Sequence, residues 1–331
     1  MSPAPLGVEF TDAALEASVR STLDKIEALL HISVQADDDF VASAASYLVD
    51  AGGKRFRPLV TTLASHFGDA QRSEIVPAAV VVELTHLATL YHDDVMDEAR
   101  VRRGAVSANA RWDNTVAILT GDFLFSRASN LLADLGPHAV RLQARTFERL
   151  VTGQIRETVG PKPGADAIDH YLAVLADKTG SLIATAAEFG GYYSGADEAT
   201  VATLRDFGEQ IGVAFQISDD ILDIASDSEQ SGKTPGTDLR EGVPTLPVLY
   251  ALRSDEPGAA QLSELVSHPL IDDAEHAEAL QLLRGSTALD QARDTLQSYA
   301  DTARDMLAGL PDLPARAAFE ALTDIVIART G

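Results

Sequence analysis

Polar and apolar positions alternate with a helical period along almost the whole chain. Between residues 11 and 31, Leu15, Val19, Leu23, Ile26 and Leu30 recur every three or four positions, and Thr11 stands where an N-cap belongs. Residues 38–51 repeat the pattern through Phe40, Val41, Ala44 and Leu48, and residues 76–98 form a long apolar-rich segment. Further helical patterns cover 114–134, 138–158, 166–192, 197–225, 244–253, 275–284, 287–308 and 313–329. Alternating β-branched residues are scarce, so no run of strands is expected. Breaks fall at Gly52-Gly53, at Gly160-Pro161-Lys162-Pro163-Gly164, in the Ser/Gly/Asp/Thr-rich stretch 226–243, in the mixed polar stretch 254–274, and from Leu310-Pro311 to Pro314. None is long or biased enough to divide the chain. The pattern predicts a single all-α domain over residues 1–331.

Composition narrows the function. At 46% hydrophobic, 331 residues can bury a substantial core. Fifty acidic residues against 26 basic ones give a net charge of -24, which argues against a nucleic-acid partner, since that needs a basic footprint. With no cysteine, disulfides, thiolate metal sites and cysteine nucleophiles are excluded. The start Met1-Ser2-Pro3-Ala4-Pro5 lacks a basic region followed by an apolar one. No apolar run is read as reaching the roughly 18 to 20 residues that span a bilayer. A cytoplasmic protein is the expectation.

Two aspartate triplets of identical spacing interrupt apolar runs: Asp93-Asp94-Val95-Met96-Asp97 and Asp219-Asp220-Ile221-Leu222-Asp223. Carboxylates among Val, Leu and Ile are costly unless their charge is compensated. On a helix, the first and last aspartates of each triplet lie i and i+4, on one face, where like charges repel. Shared cations resolve that conflict. Mg²⁺ takes one or two carboxylates together with water and phosphate oxygens, so two such rows facing each other would suit a diphosphate clamp. Zinc fits less well without cysteine or a histidine pair. A surface-charge or capping role is the competing reading, and the repetition weakens it.

Basic islands stand out in so acidic a chain: Lys54, Arg55 and Arg57 after Gly52-Gly53, Arg102-Arg103 after the first triplet, Lys178-Thr179, and Lys233. Arginine offers forked donors to phosphate and lysine a point charge. Salt bridges to the acidic surface are the simpler explanation of each one alone. His86, about two turns before Asp93, and Gln216, three before Asp219, share the faces of the triplets. His92 reads as a packing residue.

Together these strings resemble the trans-isoprenyl diphosphate synthases, or polyprenyl synthetases. GGKRFRP, ELTHLATLYHDDVMDEARVRRG, GDFLF, Lys178-Thr179-Gly180, FQISDDILD and GKTPGTDL occur in that family's order between about residues 40 and 250. The resemblance implies a helical bundle around a deep central cavity, a homodimer, and head-to-tail condensation of an allylic diphosphate with isopentenyl diphosphate. It implies two Mg²⁺ ions on Asp93 and Asp97 and a third on Asp219, with Asp94, Asp220 and Asp223 in support. Arg102, Lys178 and Lys233, with Gln216 and Thr179 nearby, would grip the allylic diphosphate. Lys54, Arg57, His86 and Arg103 would hold isopentenyl diphosphate. No protein base is evident, so the released diphosphate is the expected proton acceptor. One departure stands out: Val243 occupies a place where the family often has lysine, which implies a weaker grip on the allylic substrate.

Small residues precede the first triplet: Thr85, Ala88 and Thr89. In the family, bulky aromatics near the last two positions stop growth early, so their absence implies a product of about 30 to 50 carbons. Tyr91, Phe123 and Phe125 are candidate deeper floors, or plain core residues. A long product allows a peripheral membrane contact at release. A shorter-chain synthase, a class I terpene cyclase and a modulatory subunit are the alternatives. The intact second triplet and GGKRFRP argue against the last two.

Overall fold

The computed structural model describes residues 7–225 and 235–330, which are almost entirely helical. In chain order the helices are α1 (Ala13–Ser33), α2 (Asp39–Asp50), α3 (Phe56–Ser65), α4 (Ile75–Met96), α5 (Ala108–Arg111), α6 (Asn114–Leu135), α7 (Pro137–Val159), α8 (Ala167–Leu175), α9 (Ser181–Ser194) and α10 (Glu198–Ala225). There follow α11 (Thr237–Glu241), α12 (Leu246–Arg253), α13 (Ala259–Leu265), α14 (Asp273–Arg284), α15 (Ala288–Leu307) and α16 (Pro314–Ala328). One antiparallel hairpin, β1 (Val101–Arg102) and β2 (Ala105–Val106), pairs Val101 with Val106 and Arg102 with Ala105.

The chain gathers into two compact units. The first comprises Met1–Glu148, Leu182–Gly208 and Leu307–Ala321. Its centre is α4, packed on α6, α3 and α1. Ile26, Leu30, Leu48, Leu84, Leu87, Tyr91 and Leu124 form one continuous core there. Each such side chain contributes about 1.5–3 kcal/mol by leaving water. The second unit comprises Arg149–Ser181, Glu209–Met306 and Leu322–Gly331. In it α12 packs on α8, α13 and α14, burying Leu246, Val248, Leu262 and Leu283.

Local departures from the sequence reading have physical causes. Asp12, not Thr11, caps α1, accepting the Leu15 N–H at 2.7 Å. Helix α3 lies outside the helical stretches read from the sequence, and every residue in it but Arg57 is buried. Pro58 sits in its first turn, where a missing N–H costs nothing. The predicted helix over 166–192 is interrupted by a π-turn at Ala176–Gly180. Helices α13 and α11 lie in stretches expected to be loops. Finally, α4 is long and apolar enough to cross a membrane by length and composition, which corrects the expectation that no such run exists. Two-thirds of its apolar window (67%) is buried inside the protein, as in a core helix.

Candidate active site

In the first unit, α4 carries Asp93 and Asp94 in its last turn, and Asp97 is its C-cap. The Asp97 N–H donates to the Asp93 carbonyl at 2.8 Å, which keeps the two residues stacked one turn apart. Asp94 has no exposed surface. Its Oδ1 accepts from Arg102 Nε at 2.6 Å, while Oδ2 is buried without a hydrogen-bond partner. Burial pushes the Asp94 carboxyl above the usual carboxylate range, and Arg102 opposes the shift.

The β1–β2 hairpin brings its two arginines back toward α4. Arg103 (φ 53°) and Gly104 (φ 76°) form its two-residue turn, and positive φ at both positions is the twist-matched hairpin solution. The Arg103 guanidinium donates to the carbonyls of Leu48, at 2.9 Å, and Gly52. A Cβ on Gly53 would sit 3.0 Å from that guanidinium, so the second glycine of GGKRFRP leaves it room. Arg57 and His86 complete this basic region, while Lys54 is exposed nearby in sequence. Burial lowers the Arg57 pKa to about 10, with Arg103 adding to the effect and Glu83 opposing it. Burial, then the fields of Arg57, Arg103, Arg102 and Arg55, hold His86 well below the ordinary histidine value, so its ring is neutral.

In the second unit, the middle aspartate of the second triplet has matching surroundings. Asp220 is 4% exposed. Its Oδ1 accepts from Gln216 Nε2 at 3.0 Å and its Oδ2 is buried without a partner. Burial raises its pKa well above the usual value, and Asp238, Asp223 and Glu157 add to the shift. Thr179 Oγ1 reaches Gln216 Oε1 at 3.4 Å, and Lys178 Nζ pairs with Glu157 at 2.6 Å. Both come from the π-turn, a rare geometry that concentrates at functional sites. Asp177 fastens that turn through Arg149 (3.0 Å) and Arg156 (2.7 Å). Asp223 accepts the N–H groups of Thr237 and Asp238, both at 3.1 Å, and so caps α11. Asp219 accepts from Arg329, whose guanidinium lies 4.9 Å over the Phe215 ring. Arg329 was not anticipated, since nothing local in the sequence ties residue 329 to residue 219. Lys233 lies outside the described residues. Val243 is half-buried, its N–H on the Asp238 carbonyl at 2.9 Å.

The chain-length candidates differ in character. Ala88 is fully buried, whereas Thr89 is half-buried and donates to the His86 carbonyl at 2.8 Å. Tyr91 has no exposed surface. Its hydroxyl donates to the Ala44 carbonyl (2.6 Å) and accepts from Leu48 N (3.2 Å), which ties α4 to α2. Phe125 packs edge-on to Phe147, ring centres 4.7 Å apart, and near His92. Phe123 lies under the Arg127 guanidinium.

The carboxylate oxygens of the triplets are donors that suit a hard divalent cation, and the middle aspartate behind each pair keeps one buried oxygen without a partner. Among the described residues no three acidic or histidine side chains form a ready cage.

The polyprenyl synthetase family model matches residues 38–283. The chain is 51% identical to the nonaprenyl diphosphate synthase of Mycobacterium tuberculosis, over 98% of this chain and 97% of the relative. It is 42% identical to that organism's dimethylallyltranstransferase, over 97% and 98%. The crystal structure of a Corynebacterium glutamicum geranylgeranyl pyrophosphate synthase, complexed with calcium and isoprenyl diphosphate, superposes with a TM-score of 0.88 at 47% identity, covering 98% of this chain and all of that one. The fold is thus the all-α isoprenoid synthase fold, and the site chemistry is that of a divalent-metal-dependent prenyltransferase. The chain belongs to the polyprenyl synthetase family.

Proposed function

We propose that the chain condenses an allylic diphosphate with isopentenyl diphosphate, head to tail, into an all-trans polyprenyl diphosphate of about 30 to 50 carbons. The observation that carries this reading is the repeated environment of the middle aspartates. Asp94 and Asp220 are each buried, each paired through one oxygen, and each left with a partnerless second oxygen. Asp93, Asp97 and Asp219 would hold Mg²⁺, three ions in all, with Asp94, Asp220 and Asp223 orienting the ligands. When bound, the ions would supply positive charge that favours ionisation of the allylic carbon–oxygen bond.

Arg102, Lys178, Lys233, Thr179 and Gln216 bind the allylic diphosphate in this reading. Their hydrogen bonds strengthen as negative charge develops on the leaving group. Lys54, Arg57, His86 and Arg103 hold isopentenyl diphosphate with its double bond near the allylic carbon, which makes the attack effectively intramolecular. Neutral His86 donates or accepts one hydrogen bond there without adding charge. The departing diphosphate takes the proton lost at the end. The enzyme works in the cytoplasm as a homodimer and meets a membrane only to release product.

A shorter product is the second reading, favoured by the identity to a geranylgeranyl pyrophosphate synthase and a dimethylallyltranstransferase. One assay tests both. The protein is incubated with Mg²⁺, isopentenyl diphosphate and each of several allylic diphosphates, and the products are sized by chromatography. Products in the long range are expected. A geranylgeranyl end-point establishes the second reading, and no elongation with any primer overturns both.

A further inference from the structure

One buried acid in the first unit has no part in the reaction described above. Glu83 is 2% exposed and lies on α4, one turn before His86. Its Oε1 accepts from Arg55 Nη1 at 3.1 Å. The same carboxylate is the acidic group acting on Arg57 and Arg103. One buried carboxylate thus pairs with Arg55 and acts on two further arginines, Arg57 and Arg103. Glu27, the other acid that reaches the cluster, is 40% exposed and screened by water.

Glu83 could act as scaffold or as charge, and the geometry decides between them. Arg55 is held without it: Glu27 takes two of its N–H groups at 2.8 and 2.9 Å, and the Val49 carbonyl takes another at 3.2 Å. Arg103 is held by the Leu48 and Gly52 carbonyls. Neither guanidinium needs Glu83 to stay in place. What Glu83 supplies is negative charge in a low-dielectric setting, where charges interact more strongly than in water. It offsets arginine–arginine repulsion while no anion is bound, and it repels an anion that arrives.

We propose that Glu83 is a resident counter-ion that sets the affinity of the arginine cluster for a diphosphate monoester. It stabilises the ligand-free cluster and weakens binding, so the site can turn over. The inference rests on the assignment of Arg57, His86 and Arg103 to isopentenyl diphosphate. Linkage fixes the sign: whatever stabilises the ligand-free state more than the bound state lowers affinity.

Calorimetric titration of the full chain with isopentenyl diphosphate, without allylic substrate, tests it. Glu83→Gln should bind at least about fivefold tighter than wild type. It should also unfold at lower urea when ligand-free, and isopentenyl diphosphate should restore its stability. Arg55→Gln, which leaves Glu83 less neutralised, should bind at least about fivefold weaker, and it serves alone if Glu83→Gln does not fold. The double variant, with the cluster's net charge restored, should bind within about twofold of wild type. Unchanged or weaker binding by Glu83→Gln, or wild-type affinity in Arg55→Gln, overturns the proposal. No binding by wild type itself would instead overturn the assignment of the site.

Discussion

The residues that matter most are ionisable groups taken out of water. His86 avoids the problem by staying neutral. Its pKa lies well below the free value of 6.5 because burial and four arginines disfavour the imidazolium. Below about pH 6.5 the unfolded chain takes up a proton at this position that the native state refuses, so stability contributed here is lost as pH falls from 6.5 toward the depressed pKa. A His86→Gln variant cannot titrate. Urea unfolding should therefore show wild type losing more stability than the variant between pH 7 and about 5; parallel losses would mean the ring is not held neutral. At the chain-length positions, the half-buried Thr89 is a better place for a bulky ring than the fully buried Ala88, where a larger side chain overpacks α4 at a cost of about 1–3 kcal/mol. Thr89→Phe is expected to shift the product to fewer carbons by chromatography, and an unaltered product spectrum would remove Thr89 from the growth path.

At the scale of elements, two devices hold the first unit's site rigid. Tyr91 fastens α4 to α2 through two hydrogen bonds, and the α3–α9 approach depends on Gly190. A Cβ there would lie 2.2 Å from the Thr61 carbonyl oxygen and 2.7 Å from the Ala64 methyl. Gly190→Ala should lower stability by about 1–3 kcal/mol or more in chemical denaturation, because backbone atoms cannot rotate aside. An unchanged midpoint would contradict the packing described. The sequence made these helices visible where one face is wet, as in α1 and α2. It hid α3, a short helix that begins directly behind the Gly52-Gly53 break inside a cationic string. The π-turn at Ala176–Gly180 was also invisible: it lies inside a continuous helical pattern, and its brace comes from Arg149 and Arg156 on α7. Triplets, basic islands and turn glycines were legible because each breaks a local rule. Carboxylates stand among aliphatics, cations in an acidic chain, and paired glycines before a cationic run. Glu83 and Arg329 were not, because a single acid on an apolar helix and a lone arginine near a terminus break no rule until their partners are known.

On the scale of the whole molecule, a chain of net charge -24 binds anionic substrates. Charge beyond about 8 Å is largely screened at physiological ionic strength, so the local cation clusters, not the global balance, decide what binds. Each unit carries one aspartate triplet and its own cations, and both triplets bury their middle carboxylate in the same manner. In the proposed function, Asp93 and Asp219 each hold Mg²⁺ for the ionisation of an allylic diphosphate. The most direct test is the initial rate of chain elongation at saturating Mg²⁺ and substrates for Asp93→Asn and Asp219→Asn, each folded as judged by its urea transition. The account predicts that either substitution alone lowers the rate by at least about a hundredfold, as expected when charge stabilisation of the leaving group is lost. Either variant retaining more than about a tenth of the wild-type rate would contradict it.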